Sequence, residues 1–177
     1  MGVVRSDTGD VAAVRSDGPG RGEPYTTPVD VLLLYTRGDE VLLALRRNTG
    51  YADEHWNLPS GKLEAGETVQ QAMSREAREE LGISLGLDDL QPVHVVHWLS
   101  PEGQGRLGIA FHVQADPARH GPAHNAEPHK CAELRWSRPD DLPSPTVQYS
   151  QAAVEALQQQ RLVLTAGPWP RSDQPDV

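Results

Sequence analysis

The sequence predicts an α/β or α+β sandwich. Strand-like apolar runs alternate irregularly with two well-capped helices, and no segment repeats itself, which argues against a bundle, a solenoid or a propeller. The length of 177 residues suits one domain, and a composition of 37% hydrophobic but only 5% aromatic residues restricts it to a modest aliphatic core. With Phe111 the single Phe, most burial falls to Leu, Val and Ala.

Residues 1–27 are rich in Gly, Asp, Arg and Ser without apolar periodicity and read as a flexible segment. The folded domain is expected over 28–165. Residues 166–177, with three prolines among polar residues, read as a second flexible tail. The domain opens on an apolar strand at 29–35, and Gly38-Asp39 turns it into a second strand at 40–45, a hairpin. Residues 46–55 carry Asn48-Thr49-Gly50 and form a loop. Thr68 stands three residues before Gln71, the spacing of a capping box, so a helix is expected from Thr68 through Leu81, stopped by Gly82. Strands follow at 92–100 and 106–114, then a long aperiodic loop over 116–130 and a strand at 131–136. A second helix is expected with Ser144 as cap and Pro145 in its first turn, running to about Gln160.

The formal charge of −9 lacks the basic track that a long nucleic acid backbone requires, so a long nucleic acid partner is not expected. A small phosphate ligand remains compatible, because a metal ion reverses the local field. No apolar run reaches the length of a membrane span, and the start of the chain has no apolar signal region. Cys131 stands alone and cannot form an internal disulfide. The expectation is a cytoplasmic protein.

The chemistry concentrates in residues 61–83. On a helix, Glu76, Glu79 and Glu80 share one face at spacings of three and four, an arrangement that costs a few tenths of a kcal/mol per like-charged pair. Such a face is either simply solvated or built for a divalent cation, and all-oxygen ligands would select Mg²⁺, or Mn²⁺, over zinc. Arg75 lies four residues before Glu79 and can position that carboxylate. Gly61 and Gly66 bracket the loop that leads into this helix, and Gly61 permits close approach to the main chain.

This stretch resembles the Nudix box: Gly61, Glu67, Arg75, Glu76, Glu79, Glu80 and Gly82 occupy its fixed positions, with Ala77 and Ile83 in its apolar slots. At average residue usage those identities coincide by chance roughly once in 10⁸ to 10⁹ starts. The resemblance implies a Nudix α/β/α sandwich with a mixed central sheet and hydrolysis of a nucleoside diphosphate linked to another group. It implies Glu76, Glu79 and Glu80 as metal ligands together with the carbonyl of Ser60, where many members have Gly. Glu67 would brace the loop. For the general base, Glu76 is the first choice and Glu127, in the long loop, the second.

Upstream, Trp56 is either a core aromatic or a wall of the substrate site, and Asn57 either stabilises its loop or reads a purine edge with its amide. Asn57 aligns with a base-contacting asparagine of oxidised-purine triphosphatases in the family. Arg46 and Arg47 follow the second strand and could meet a triphosphate tail or lie on the surface. Residues 125–136, with Glu127-Pro128, Lys130-Cys131 and Trp136, resemble the MutT-like nucleoside triphosphate diphosphatases. His94 and His97 should face opposite sides of a strand, and His120, His124 and His129 are expected to be solvated loop residues. The expected activity is Mg²⁺-dependent hydrolysis of a nucleoside triphosphate to the monophosphate and pyrophosphate by activated water. The alternatives are an ADP-ribose or nucleotide-sugar pyrophosphatase and a catalytically silent nucleotide-binding module. A small nucleotide is the expected partner, and a homodimer is possible.

Overall fold

The computed structural model describes residues 26–169, and the expected flexible segments lie outside that range except for residues 26–27 and 166–169. The architecture is an α/β/α sandwich around one mixed eight-stranded sheet. Along the sheet run β3 (Trp56–Asn57), β2 (Glu40–Arg46), β1 (Val29–Arg37), β6 (Gly105–Gln114), β5 (Pro92–Leu99) and β8 (Val163–Ala166). Off this path, β4 (Ser60–Lys62) pairs with β1 and β7 (Cys131–Ser137) with β2. β1–β6 and β5–β8 are parallel, and the remaining pairs antiparallel.

Two-residue periodicity in β1 divides the core. Val31, Leu33 and Tyr35 face α1 (Val69–Leu81) and meet its buried stripe of Ala72, Met73, Ala77 and Leu81. Leu32 and Leu34 point the other way and pack with Val96, Trp98 and Ala110 under α3 (Gln148–Gln158). Each fully buried Leu contributes about 1.5–3 kcal/mol of transfer free energy, so both layers are anchored through this one strand.

α1 begins and ends where local sequence dictates. The Thr68 hydroxyl accepts from the Gln71 amide N–H at 3.2 Å, the Gln71 side chain accepts from the Thr68 N–H at 2.7 Å, and Gly82 closes the helix at φ 65°. α3 starts later than Ser144. The Trp56 N–H donates to the Pro145 carbonyl and the Val147 N–H to the Trp56 carbonyl, both at 2.9 Å, so residues 145–147 are committed to β3 before any helical turn can close.

Five elements were not foreseen: the short strands β3 and β4, a 3-10 turn at Leu87–Asp89, a short helix and β8. Within the aperiodic loop, α2 (Pro117–His120) forms because the Asp116 carboxylate caps the N–H groups of Ala118 and Arg119 with Pro117 in the first turn. This turn buries His120 against Tyr35, at 3.4 Å from its hydroxyl, where a solvated histidine was expected. β8 adds a parallel edge to β5 and crosses the expected boundary at residue 165. Just beyond it, the Trp169 ring packs on His97 at 4.3 Å between centroids. His94 and His97 do take opposite faces of β5, with His94 buried under α3. Among the described residues, no helix is long and apolar enough to cross a membrane.

Candidate active site

The register of β4 against β1 sets up the site. The bonds from Leu33 N–H to the Pro59 carbonyl and from Leu63 N–H to the Val29 carbonyl make Ser60 and Lys62 the non-hydrogen-bonded positions of this ladder. Their own N–H and C=O groups therefore turn away from β1, toward α1. There the Ser60 N–H donates to Glu80 Oε2 at 2.9 Å, and the Lys62 carbonyl accepts from Arg75 Nη2 at 3.1 Å. The Ser60 carbonyl lies on the same outward edge as its N–H.

Gly61 sits between them because the space beside it belongs to Glu76. A Cβ at this position would lie 1.8 Å from Glu76 Oε1 and 1.9 Å from its Cδ. Arg75 organises the surrounding charge. It grips Glu67 with a fork at 3.2 and 2.8 Å, and donates from Nη1 to Glu76 Oε1 at 2.5 Å. Glu67 also accepts from the Glu64 N–H at 2.8 Å, so it ties loop and helix together. Hydrogen bonds from Arg75 hold its carboxyl below the usual range. The expected pairing of Arg75 with Glu79 is present but loose: the Glu79 carboxylate is 3.7 Å from Nη1 and half exposed, one turn along the solvent side.

Glu76, Glu80 and Glu127 line a common cleft of about 230 Å³ with Lys130, Arg46 and Ser60. Burial pushes the Glu80 carboxyl up to about 8 against the lowering effect of the Ser60 N–H, with the charges of Glu76 and Glu127 adding to the rise. Burial also raises Glu76, opposed by Arg75 and reinforced by Glu79 and Glu127. Glu127 is held by the Lys130 ammonium at 2.7 Å. Among the described residues no three Asp, Glu, His or Cys side chains converge as a ready-made metal centre. The donor set nevertheless suits a hard cation. It is all oxygen, its carboxylates are crowded and desolvated, and a backbone carbonyl edge faces them.

A second cleft of about 370 Å³ adjoins the first, and the two share Arg46, Thr49, Asn57 and Ser60. Arg46 donates to the Tyr51 carbonyl and the Thr49 hydroxyl, both at 2.9 Å, which fixes its guanidinium at the junction. Asn57 is buried and wired into the scaffold. Its Nδ2 donates to Ser60 Oγ at 3.0 Å, and its Oδ1 accepts from Ser150 Oγ at 2.6 Å, while that hydroxyl accepts from the Leu58 N–H at 3.0 Å. This relay joins β3, the glutamate loop and α3. Trp56 borders neither cleft. Its ring packs in the α3-side core, with the Arg135 guanidinium 4.5 Å above it. Arg47, just past the end of β2, is exposed and also outside both linings.

The larger cleft brings in residues that the sequence did not single out. Asp30 is buried on its floor and accepts a fork from Arg106 at 2.7 and 2.5 Å. Tyr149, from the first turn of α3, lines the same cleft. The available signal was a carboxylate at the second position of an otherwise apolar strand, which demands a cationic partner when buried.

Comparison with known proteins agrees with this geometry. A family model described as the NUDIX domain matches residues 24–158. An RNA pyrophosphohydrolase of Erythrobacter litoralis is 30% identical over 148 residues, spanning 71% of this chain and 89% of its own. The NAD-capped RNA hydrolase NudC of Stutzerimonas stutzeri is 32% identical over 124 residues and 68% of this chain, which spans only 40% of that relative's length. Among solved structures, a MutT NUDIX hydrolase from Burkholderia pseudomallei superposes with a TM-score of 0.65 at 28% identity, covering 74% of this chain and 98% of its own. Box glutamates gathered behind one loop, an α/β/α sandwich that presents them at a cleft, and a family model that spans nearly the whole described domain lead to one conclusion: the chain belongs to the Nudix hydrolase family.

Proposed function

We propose that this Nudix hydrolase splits a nucleoside triphosphate into the monophosphate and pyrophosphate with the help of Mg²⁺ or Mn²⁺. The observation that carries the reading is the joined pair of clefts. One holds Glu76, Glu80 and Glu127, the other has room for a nucleoside, and Arg46 stands at their junction. Glu76, Glu79, Glu80 and the Ser60 carbonyl would hold the divalent ion. Bound there, such an ion neutralises phosphate charge and lowers the pKa of a coordinated water.

The chain's own residues supply the rest. Arg46 meets the phosphates at the cleft junction and orients them. Arg75 keeps Glu76 from swinging away, and Glu76 accepts the proton of the attacking water, with Glu127 the second candidate for that role. Lys130 beside Glu127 adds positive charge where the leaving phosphate departs. Asn57 holds the two walls in register through Ser60 and Ser150.

The RNA pyrophosphohydrolase and the NAD-capped RNA hydrolase among the relatives favour a second reading, in which the same centre cuts a diphosphate carrying a larger group. A Mg²⁺-supplemented panel of nucleoside triphosphates, ADP-ribose, NAD and 5′-triphosphorylated RNA separates them, with products identified by chromatography. Pyrophosphate from free triphosphates supports the first reading. Two monophosphates from NAD, or phosphate release from RNA alone, would replace it with the second. Absence of turnover across the panel would leave a nucleotide-binding module.

A further inference from the structure

We infer that Arg106 and Tyr149 form a two-donor reader in the larger cleft that selects a purine with an oxo group at C6 over one with an amino group there. The inference rests on the nucleotide reading above and adds to it which chemistry the cleft recognises.

The reader is assembled by β1, β6 and α3. Asp30 and Gly108 are Cα partners across the parallel β1–β6 pair, and Arg106, two residues before Gly108, shares its face of the sheet. Both Asp30 oxygens are engaged by Arg106, through Nε and Nη2, so the carboxylate cancels the guanidinium charge and fixes its plane. Nη1 has no hydrogen-bond partner among the described residues, which leaves its two N–H groups free at the one member of the trio that is substantially exposed to the cleft. The Tyr149 hydroxyl lies in the same corner. A Cβ on Gly108 would come within 2.1 Å of it, so the absence of a side chain at Gly108 is what seats the phenol there. Tyr149 is 9% exposed, and its hydroxyl is buried without any partner.

A buried polar group without a partner carries a desolvation penalty that a folded protein seldom retains without use. The corner therefore presents N–H and O–H donors with its carboxylate already consumed. It offers little to a phosphate, because the charge of Arg106 is neutralised. It suits neighbouring acceptors on a flat neutral ring, the pattern that arginine reads at O6 and N7 of guanine. The amino group at C6 of adenine would set N–H against N–H. Tyr149→Phe removes only this hydroxyl, which has no partner to leave unpaired, and keeps the ring in place.

The test is equilibrium binding of GMP, IMP and AMP to the full chain, wild type and Tyr149→Phe, by calorimetry, with melting curves of the unliganded proteins. GMP and IMP are expected to bind about tenfold more tightly than AMP, and Tyr149→Phe to erase about five- to tenfold of that advantage while changing AMP less than twofold. The melting temperature of Tyr149→Phe should stay level or rise, since an unpaired hydroxyl is removed. Equal binding of the three nucleotides, no binding of any, or a uniform loss with a lower melting temperature would overturn the inference. Failure of the proposed activity is separate: it is read from the products of the triphosphate panel, whereas base preference is read here without turnover.

Discussion

Gly61→Ala tests whether the glutamate site depends on one missing side chain. The new Cβ would lie 1.8 Å from Glu76 Oε1, 1.9 Å from Cδ and 2.5 Å from Cγ. Ordinary carbon contacts begin near 3.5 Å, so the carboxylate must shift by about 2 Å. The obstacle is the far end of a flexible side chain, so the backbone of β4 can remain in place. Glu76 gives up its Arg75 hydrogen bond, worth about 1.5–3 kcal/mol to a charged group, but regains water that offsets most of that loss. The net destabilisation should be about 1 kcal/mol, a melting-temperature change of a few degrees. Activity should suffer far more, because misplacing a reacting or coordinating group by even 1 Å can cost about 10²-fold. The assay is kcat at saturating Mg²⁺ in four proteins: wild type, Gly61→Ala, Glu76→Ala and the double variant. Gly61→Ala should fall about 10²-fold alone and change little once Glu76 is already gone, a strong departure from additivity. A further 10²-fold loss in the Glu76→Ala background would refute the reasoning, since the effect would then come from the strand.

Glu79→Gln and Glu80→Gln should each lower kcat about 10²-fold, and Glu80→Gln should raise the melting temperature of the metal-free protein above about pH 8, where the buried carboxylate would be charged, while changing it little at about pH 6, where burial keeps Glu80 protonated; near wild-type turnover of either variant at limiting Mg²⁺ would remove that carboxylate from the ligand set. Asn57→Ala breaks the Ser60–Asn57–Ser150 relay and should cost about 1–3 kcal/mol of stability, with a similar loss of kcat/KM for all four nucleoside triphosphates. A loss confined to particular bases, at unchanged stability, would instead make Asn57 a base reader. His94 is held below the usual histidine range by burial, so between pH 6.5 and its lowered value the unfolded chain binds a proton that the folded one refuses. Stability therefore falls as pH drops through that window, and His94→Leu should reduce the difference in melting temperature between pH 7.5 and pH 5; an undiminished difference would place the titration elsewhere.

What could be read in the sequence was governed by range. Thr68, Gln71 and Gly82 act within one turn of the helix they bound, and the hairpin at Gly38-Asp39 is equally local, so these elements were legible. The start of α3 was not, because Pro145 and Val147 are claimed by Trp56, nearly ninety residues earlier in the chain. β8 is four residues long, with exposed Val163, and has no alternation to betray it. In the site, the glutamates stood out because helical spacing groups them before folding does. The Asp30–Arg106 pair and the unpaired Tyr149 hydroxyl are assembled from three separate elements, and only the lone carboxylate in an apolar run hinted at them. Trp56 and Asn57 share β3, yet their neighbours give one to the core and the other to a polar relay.

The alternation in β1 makes that strand intolerant of frame errors. Deleting a single residue from it would exchange its two faces, moving Asp30 into the apolar layer under α1 and away from Arg106, while Leu33 and Tyr35 would be aimed at the opposite layer. A mispaired hairpin formed early in folding would therefore gain little from collapse on either side, and would dissolve rather than persist as a trap. The same property narrows how such a chain can change over evolutionary time. Conservative swaps of size and shape within β1 are open to it, but insertions and deletions must be absorbed in the loops, away from the strand to which both helices and the glutamate hairpin are registered.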